Sequence, residues 1–246
     1  MNDVVVLCYH AVSPGWEAPL AVTPEDFERQ MTALLERGFE GARFTDAVLN
    51  PPHPRTLAVT FDDGYVSVLE RAEPILSRLG LPATVFIPTA FMERRQQLLW
   101  NGVAHWADTA FGEELRGMDW NDLRSLVELG WEVGSHTRTH RRLTRLGDQA
   151  MRAELADSLL ECERQLGAPC TAIAYPYGDA DERVTAAAEN AGYLAGAWLS
   201  SSLAAGGPLR WPRIGIHHVD GAWRFRVKVN ALVRRVRATG VWPDHE

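Results

Sequence analysis

Short apolar runs rich in β-branched residues alternate with helical spacing along almost the whole chain. Val4-Val5-Val6-Leu7-Cys8-Tyr9 is continuous rather than alternating, the pattern of a strand buried on both faces. Thr23 followed by Pro24, Glu25 and Asp26 opens a helix, with a hydroxyl cap, proline in the first turn and acids at the positive end of the dipole. Phe27, Met31, Leu34 and Leu35 form its inner stripe and Gly38 stops it. Residues 56–61 and 83–87 repeat the strand pattern. Between them Leu69, Ala72, Ile75, Leu76 and Leu79 give a helix that Pro74 either kinks or begins. Residues 91–118, with Trp100, Trp106 and Phe111, are expected to form a long helical excursion. Leu123, Leu126, Val127 and Leu129 then mark a helix and residues 131–133 a short strand. Leu155, Leu159, Cys162 and Leu166 mark another helix, closed by Gly167. Strands at 171–175 and 193–198 flank a helix at 181–191, residues 199–208 form a loop, and Ile214 to Ile216 reads as a last short strand.

Seven or so such strand-helix units without a linker predict one α/β domain with a parallel sheet over residues 1–246. Periodicity fits an open doubly wound sheet and a closed barrel equally well.

Composition narrows the class. With 246 residues, 46% hydrophobic and 23% charged, the chain is not disordered, and a net charge of −7 argues against general affinity for nucleic acid. No run approaches the ~20 apolar residues of a membrane span. Val4 to Cys8 is too short for a secretory signal and follows Asp3 rather than a basic cluster, so a cytoplasmic location is expected. Cys8, Cys162 and Cys170 are odd in number and lack C-x-x-C spacing, so all three are expected to be reduced thiols. Neither a dinucleotide fingerprint nor a P-loop follows any strand.

Polar residues gather where strands end: Tyr9-His10, Asp62-Asp63-Gly64, the run from Ser135 to His140, and Tyr175-Pro176-Tyr177-Gly178. Carboxyl ends of parallel strands form the active face of α/β proteins, so these clusters are expected to converge. His136 and His140, four apart, would share one face if their segment were a turn of helix, within reach of one metal. Asp62 and Asp63 would point oppositely in a regular strand, but Gly64 permits a sharp turn that brings both into the site. Two imidazoles and a carboxylate on a divalent ion leave room for water, and the second carboxylate could serve as a general base.

Thr60-Phe61-Asp62-Asp63-Gly64, then Ser135 to His140, then Ala174-Tyr175-Pro176-Tyr177-Gly178 resemble the motifs of the polysaccharide deacetylases of carbohydrate esterase family 4, the NodB homology domain. Tyr9-His10 and Gly130-Trp131-Glu132-Val133 fit the same pattern, and the likeness covers about residues 3–217. It implies a deformed (β/α) barrel of about seven parallel strands. It implies that Asp63, His136 and His140 bind a divalent metal, usually zinc. Asp62 would be the base that takes a proton from the attacking water. Tyr177 would give its backbone N–H to an oxyanion site, and the product would be a free amine and acetate. Two features depart from the family. Ala174 stands where many members carry an arginine that orients the catalytic aspartate, and Arg213 is expected to supply the missing guanidinium. The late histidine acting as general acid has no secure counterpart; His217 and His10 are the candidates, with His218 beside the first. Tyr175, Pro176 and Trp198 are expected to contact substrate, and Trp100, Trp106 and Trp198 are candidates for stacking on sugar rings.

The expected partner is an N-acylated carbohydrate, such as a glycan precursor. Two other functions compete: cleavage of a formamide or cyclic imide on the same scaffold, and non-catalytic carbohydrate binding. A binding module needs no water-activating base, so the Asp62, Asp63, His136, His140 set speaks against the last. Residues 210–240 carry eight basic residues against Asp220 alone. Phe225, Val229, Leu232 and Val236 there predict a helix over about 222–238 that packs this stripe on the barrel or meets an anionic membrane.

Overall fold

Both faces of a seven-residue strand are buried only if something lies inside the sheet as well as outside it, and that is what the computed structural model shows. It describes residues 3–239; the ends of the expected domain, 1–2 and 240–246, lie outside the described residues. In chain order come β1 (Asp3–Tyr9), β2 (Ala11–Val12), β3 (Ala21–Val22), α1 (Pro24–Leu35), β4 (Glu40–Gly41), α2 (Phe44–Leu49) and β5 (Arg55–Phe61). A π-turn at Val68–Ala72 runs into α3 (Glu73–Leu79), followed by β6 (Ala83–Ile87), α4 (Trp120–Glu128), β7 (Glu132–Ser135) and α5 (Asp148–Leu166). Then come β8 (Ala172–Ala174), α6 (Glu182–Ala191), β9 (Ala195–Leu199), β10 (Trp211–Gly215), α7 (Ala222–Lys228) and α8 (Ala231–Arg237).

The sheet runs β1-β10-β9-β8-β7-β6-β5, and β5 pairs back to β1 along its full length, from Asp3 against Arg55 to Tyr9 against Phe61. Seven parallel strands therefore close into a barrel, with β4 attached beside the start of β5. Closure decides between the two architectures that periodicity left open. Strand alternation sorts the side chains into two clusters. Val6, Ala58, Phe86, Ala172, Ala174, Ala195 and Ala197 fill the lumen, while Leu7, Val59, Val85 and Ile173 pack outward beneath the helices. The lumen is narrow: a Cβ on Gly134 would lie 2.6 Å from the Phe86 ring. Helix α2 plugs the amino-terminal end, its Phe44 ring edge-on to Phe86 at 5.5 Å and its Phe44 N–H donating to the Thr84 hydroxyl. The carboxyl-terminal end is left for polar residues.

Several expectations change. Residues 91–118 are not a long helix but short 3-10 turns, including Ala104–Trp106 and Gly112–Leu115. The segment has no apolar stripe of period 3.6, and its backbone groups bond across the loop instead, as Leu98 N–H does to Leu115 and Met118 N–H to Gly64. Pro74 lies in the first turn of α3, where its missing N–H costs nothing, and the extra residue is absorbed by the π-turn before it. The expected helix over 222–238 is two helices. Asn230 caps the second, accepting from Leu232 N–H at 2.9 Å, and Leu232 and Val236 are exposed rather than packed.

Candidate metal centre

Several strands deliver the site at the open mouth of the barrel, and after three of them, β5, β7 and β8, the backbone bends unusually. Asp63, Thr137, His140 and Tyr177 have positive φ, between 58° and 72°, and are the only non-glycine residues so disposed among those described. Such conformations cost on the order of 1–3 kcal/mol each and persist only where the surroundings enforce them. At the end of β5 the reversal at Asp63 turns its side chain to the same mouth as Asp62. Gly64 continues the bend at φ 75°, with Ile87 Cγ2 2.9 Å from where a Cβ would stand. The two imidazoles do not share a helix face, as the spacing suggested. His136 and His140 converge through a loop after β7 that reverses at Thr137. The Thr137 hydroxyl accepts from His140 N–H at 3.1 Å, and the buried Glu154 carboxylate of α5 accepts from Thr139 N–H at 2.7 Å and from the Thr139 hydroxyl. Glu154 had no signal in the sequence, because it lies among the polar residues of an amphipathic helix.

Asp63 Oδ1 lies 3.6 Å from His136 Nε2 and 3.3 Å from His140 Nε2, and all three side chains are buried. That oxygen has no hydrogen-bond partner, nor has His140 Nδ1. His136 Nδ1 lies 2.8 Å from the Ala174 carbonyl, which can only accept, so the proton sits on Nδ1 and the Nε2 lone pair faces Asp63. Burial lowers the His136 pKa to about 4, against the pull of Asp62, so the ring is neutral. Burial pushes the Asp63 carboxyl up, but the neighbouring His140 and then His10 and His136 outweigh it and hold it below the usual carboxylate range. A carboxylate oxygen facing an imidazole lone pair in a buried site is repulsive unless a cation lies between them. The donor set therefore fits a divalent metal with three protein ligands. The His140 ring is held between Trp100, stacked at 4.2 Å, and Tyr177 at 4.9 Å.

Asp62 is gripped from inside the barrel. The fully buried Arg213 donates from Nη1 to Oδ1 at 2.6 Å and from Nη2 to Oδ2 at 2.7 Å, and Nη1 also reaches the Thr60 hydroxyl at 3.1 Å. Burial would raise the Asp62 carboxyl, yet the guanidinium drives it well below the usual range. Ala174 itself is buried in the lumen, and the guanidinium comes from Arg213 on β10, over the Phe86 ring at 5.6 Å. His10 stands beside Asp62, with a ring nitrogen, an Asp62 oxygen and Cys8 Sγ mutually within 4.8 Å, and its Nδ1 is buried without a partner. His217 borders a cavity of about 300 Å³ with Lys228 and Arg237.

Of the expected substrate contacts, Tyr175 points the other way. It is fully buried and its hydroxyl donates to the Leu209 carbonyl at 2.8 Å, because the strand parity that turns Ala174 inward turns Tyr175 into the helical layer. Pro176 is buried in the turn that follows. Trp106 packs edge-on to Trp16 and Phe111. Trp198 faces outward under Arg210, whose guanidinium carbon lies 4.1 Å above the ring. It nevertheless borders a groove of about 790 Å³ that reaches the site through Tyr177, which is 42% exposed and covered on one face by Arg142.

A parallel seven-strand barrel carrying an Asp-His-His cluster at its mouth defines the class, and the chain belongs to the polysaccharide deacetylase family, whose profile matches residues 49–196. Among relatives it is 28% identical over 196 residues to a Bacillus subtilis (strain 168) protein provisionally named as the polysaccharide deacetylase YxkH, covering 78% of this chain. It is 26% identical over 181 residues to the chitooligosaccharide deacetylase of Sinorhizobium fredii (strain NBRC 101917 / NGR234), covering 71% of this chain. The chain spans 62% of the Bacillus protein's length and 68% of the rhizobial one. In fold it is similar to the Streptococcus pyogenes deacetylase PplD, solved in complex with acetate, with a TM-score of 0.77 at 22% identity over 92% of this chain and 98% of that one.

Proposed function

We propose that the protein hydrolyses the N-acetyl group of an amino sugar in an oligosaccharide, polysaccharide or glycan precursor, releasing acetate and leaving a free amine. The observation that carries this reading is the buried, unsatisfied Asp63-His136-His140 cluster beside a second carboxylate that Arg213 keeps ionised and aimed. Family membership and the rhizobial relative named for chitooligosaccharides support the substrate class. Zinc suits three nitrogen and oxygen ligands with positions left open. When bound, the cation supplies Lewis-acid polarisation of the acetamide carbonyl and acidifies water.

The residues divide the remaining work. Asp62 accepts a proton from the water whose oxygen bonds to the carbonyl carbon. The Arg213 guanidinium keeps it ionised, and so able to accept a proton, throughout the working pH range. Tyr177, fixed at φ 62°, offers its backbone N–H to the oxygen on which negative charge develops. The C–N bond then breaks, and the leaving nitrogen needs a proton. His10, adjacent to Asp62, would give it, with His217 as the second candidate. Tyr177 and Trp198 border the groove that would hold the neighbouring sugar units.

The test is to strip the protein with a chelator, restore zinc, and measure metal content together with acetate and free amine released from N-acetylglucosamine oligomers. Acetate appearing only after metal is restored is the expected result. Formate from an N-formyl sugar without acetate would redirect the reading to a formamide substrate. Failure of the protein to take up one metal ion would overturn it.

A further inference from the structure

The two carboxy-terminal helices repeat one pattern nine residues apart. In α7 the second and sixth residues are Trp223 and Val227 and the fifth is Arg226; in α8 the same positions hold Leu232, Val236 and Arg235. At about 100° per residue, the second and sixth positions of a helix share one face and the fifth flanks it. In α7 that face lies opposite Phe225, which is buried, so Trp223 is 74% exposed and Val227 39%. In α8 Arg234 and Arg237 are turned inward, to Asp3 at 2.7 Å and to the Ser201 carbonyl at 2.8 Å, and Leu232 is left 65% and Val236 52% exposed. The sequence stripe thus holds for its first half only: Phe225 and Val229 pack, while Leu232 and Val236 face water.

Isolated exposed apolar residues need no explanation, but half of the large exposed hydrophobics among the described residues fall within 219–236. Their setting is cationic. Arg224, Arg226 and Arg235 are exposed and form no ion pair among the described residues, and residues 221–239 contain no acid. Lys228 is already engaged by Asp220 and the Gly215 carbonyl. Two such surfaces would repel one another, which disfavours a second copy of this chain as the occupant. A tryptophan with aliphatic neighbours and unpaired arginines matches an interface where apolar chains lie beneath anionic headgroups.

We infer that the outer faces of α7 and α8 dock this protein on an anionic lipid surface, peripherally, since no described helix is long and apolar enough to cross a membrane. This inference does not depend on the proposed reaction, because the test reads binding alone. Full-length protein is sedimented with vesicles of phosphatidylcholine with and without phosphatidylglycerol. Binding to the anionic vesicles that weakens with added salt is expected, with little to the neutral ones. Trp223→Ser with Leu232→Ser, both at exposed positions, is expected to lower the partition coefficient about tenfold or more. Arg224→Glu with Arg226→Glu, which leaves the apolar residues intact, is expected to lower it by more than about twentyfold. Circular dichroism confirms that each variant is folded. Equal binding by wild type and both variants, or no binding to anionic vesicles, would overturn the inference. So would gel filtration showing that wild type self-associates and the serine variant does not.

Discussion

Replacing Arg213 by methionine removes a buried guanidinium that makes two hydrogen bonds to Asp62, while keeping much of the side-chain volume. Removing one partner of a buried ion pair costs about 3–5 kcal/mol, because the other charge is left without compensation. At about 2–4 °C per kcal/mol for a chain of this size, the melting temperature should fall by roughly 6–20 °C. The pH dependence should reverse as well. In the wild type Asp62 has a folded pKa below its unfolded value of about 3.9. Its stabilising contribution is therefore fully present above that value and lost as pH falls through the depressed one. Without the guanidinium, burial raises the carboxyl instead, and the variant should gain stability as pH falls through the raised value. Hydrolysis should drop by about 10²-fold or more, since Asp62 loses both its aim and its assured ionisation. Metal content should stay near one per chain, because Arg213 touches none of Asp63, His136 and His140. Arg213→Lys should recover stability better than rate, since an ammonium keeps the charge but cannot hold both oxygens. Calorimetric melts at several pH values, metal analysis and initial rates together form the assay. Unchanged turnover, or metal loss in step with activity, would refute the assignment of Arg213 as a positioning residue.

Three further outcomes follow from the same geometry. His136 is held neutral, with a pKa of about 4 against about 6.5 unfolded, so between those values the unfolded chain binds the extra proton. Urea midpoints of the metal-free protein should rise as pH increases from about 4 to about 6.5, and His136→Gln should flatten that slope. Trp100→Ala removes the ring stacked on His140 and should weaken zinc affinity about tenfold with a smaller change in melting temperature, measured by competition with a chromogenic chelator. If affinity is unchanged, the stacking does not orient the ligand. Zinc at about a hundred times its Kd should stabilise the folded chain by about 2.7 kcal/mol, and Asp63→Asn or His140→Ala should abolish that increment in a thermal shift measurement.

The strands could be read from sequence because closure into a barrel buries them on both faces. β1 and β5 consequently read as unbroken apolar runs, and the polar residues just beyond them mark the mouth. Closure itself is a pairing between residues more than fifty positions apart, and nothing local in Val4–Cys8 or in residues 56–61 encodes it. The three residues of the candidate metal site, Asp63, His136 and His140, do come together, but the sequence suggested the wrong reason for their convergence. A spacing of four suggested a helix face, whereas a threonine and a histidine in left-handed conformation, braced by Glu154, do the work. Left-handed backbone is nearly invisible in sequence unless glycine marks it, and here non-glycine residues carry it. Arg213 is the reverse case: the family resemblance implied an arginine where Ala174 stands, and the guanidinium that pairs with Asp62 comes instead from β10, by a contact between residues 151 positions apart that no local pattern encodes.

The carboxy-terminus shows where periodicity gives a definite and wrong answer. Phe225, Val229, Leu232 and Val236 fit a single helix face only if the helical phase runs uninterrupted from 222 to 238. Asn230 breaks it. Its side chain accepts from Leu232 N–H at 2.9 Å and Val233 N–H at 3.3 Å, satisfying donors at the start of a new helix, and its own backbone is extended at φ −65°, ψ 131°. An extended residue advances the chain without the 100° turn of a helical one, so residues after it face a new direction. Phe225 and Val229 stay with the barrel while Leu232 and Val236 turn to solvent. An asparagine inside an apolar repeat is thus a cap as readily as a tolerated polar residue, and which of the two it is decides whether the repeat after it is core or surface. Replacing Asn230 with alanine tests this directly. Loss of the cap should lower stability by about 1 kcal/mol, and amide exchange at Leu232 and Val233 should accelerate while that at Phe225 does not. Equal protection in both proteins would mean that tertiary contacts, rather than the side-chain cap, hold the break.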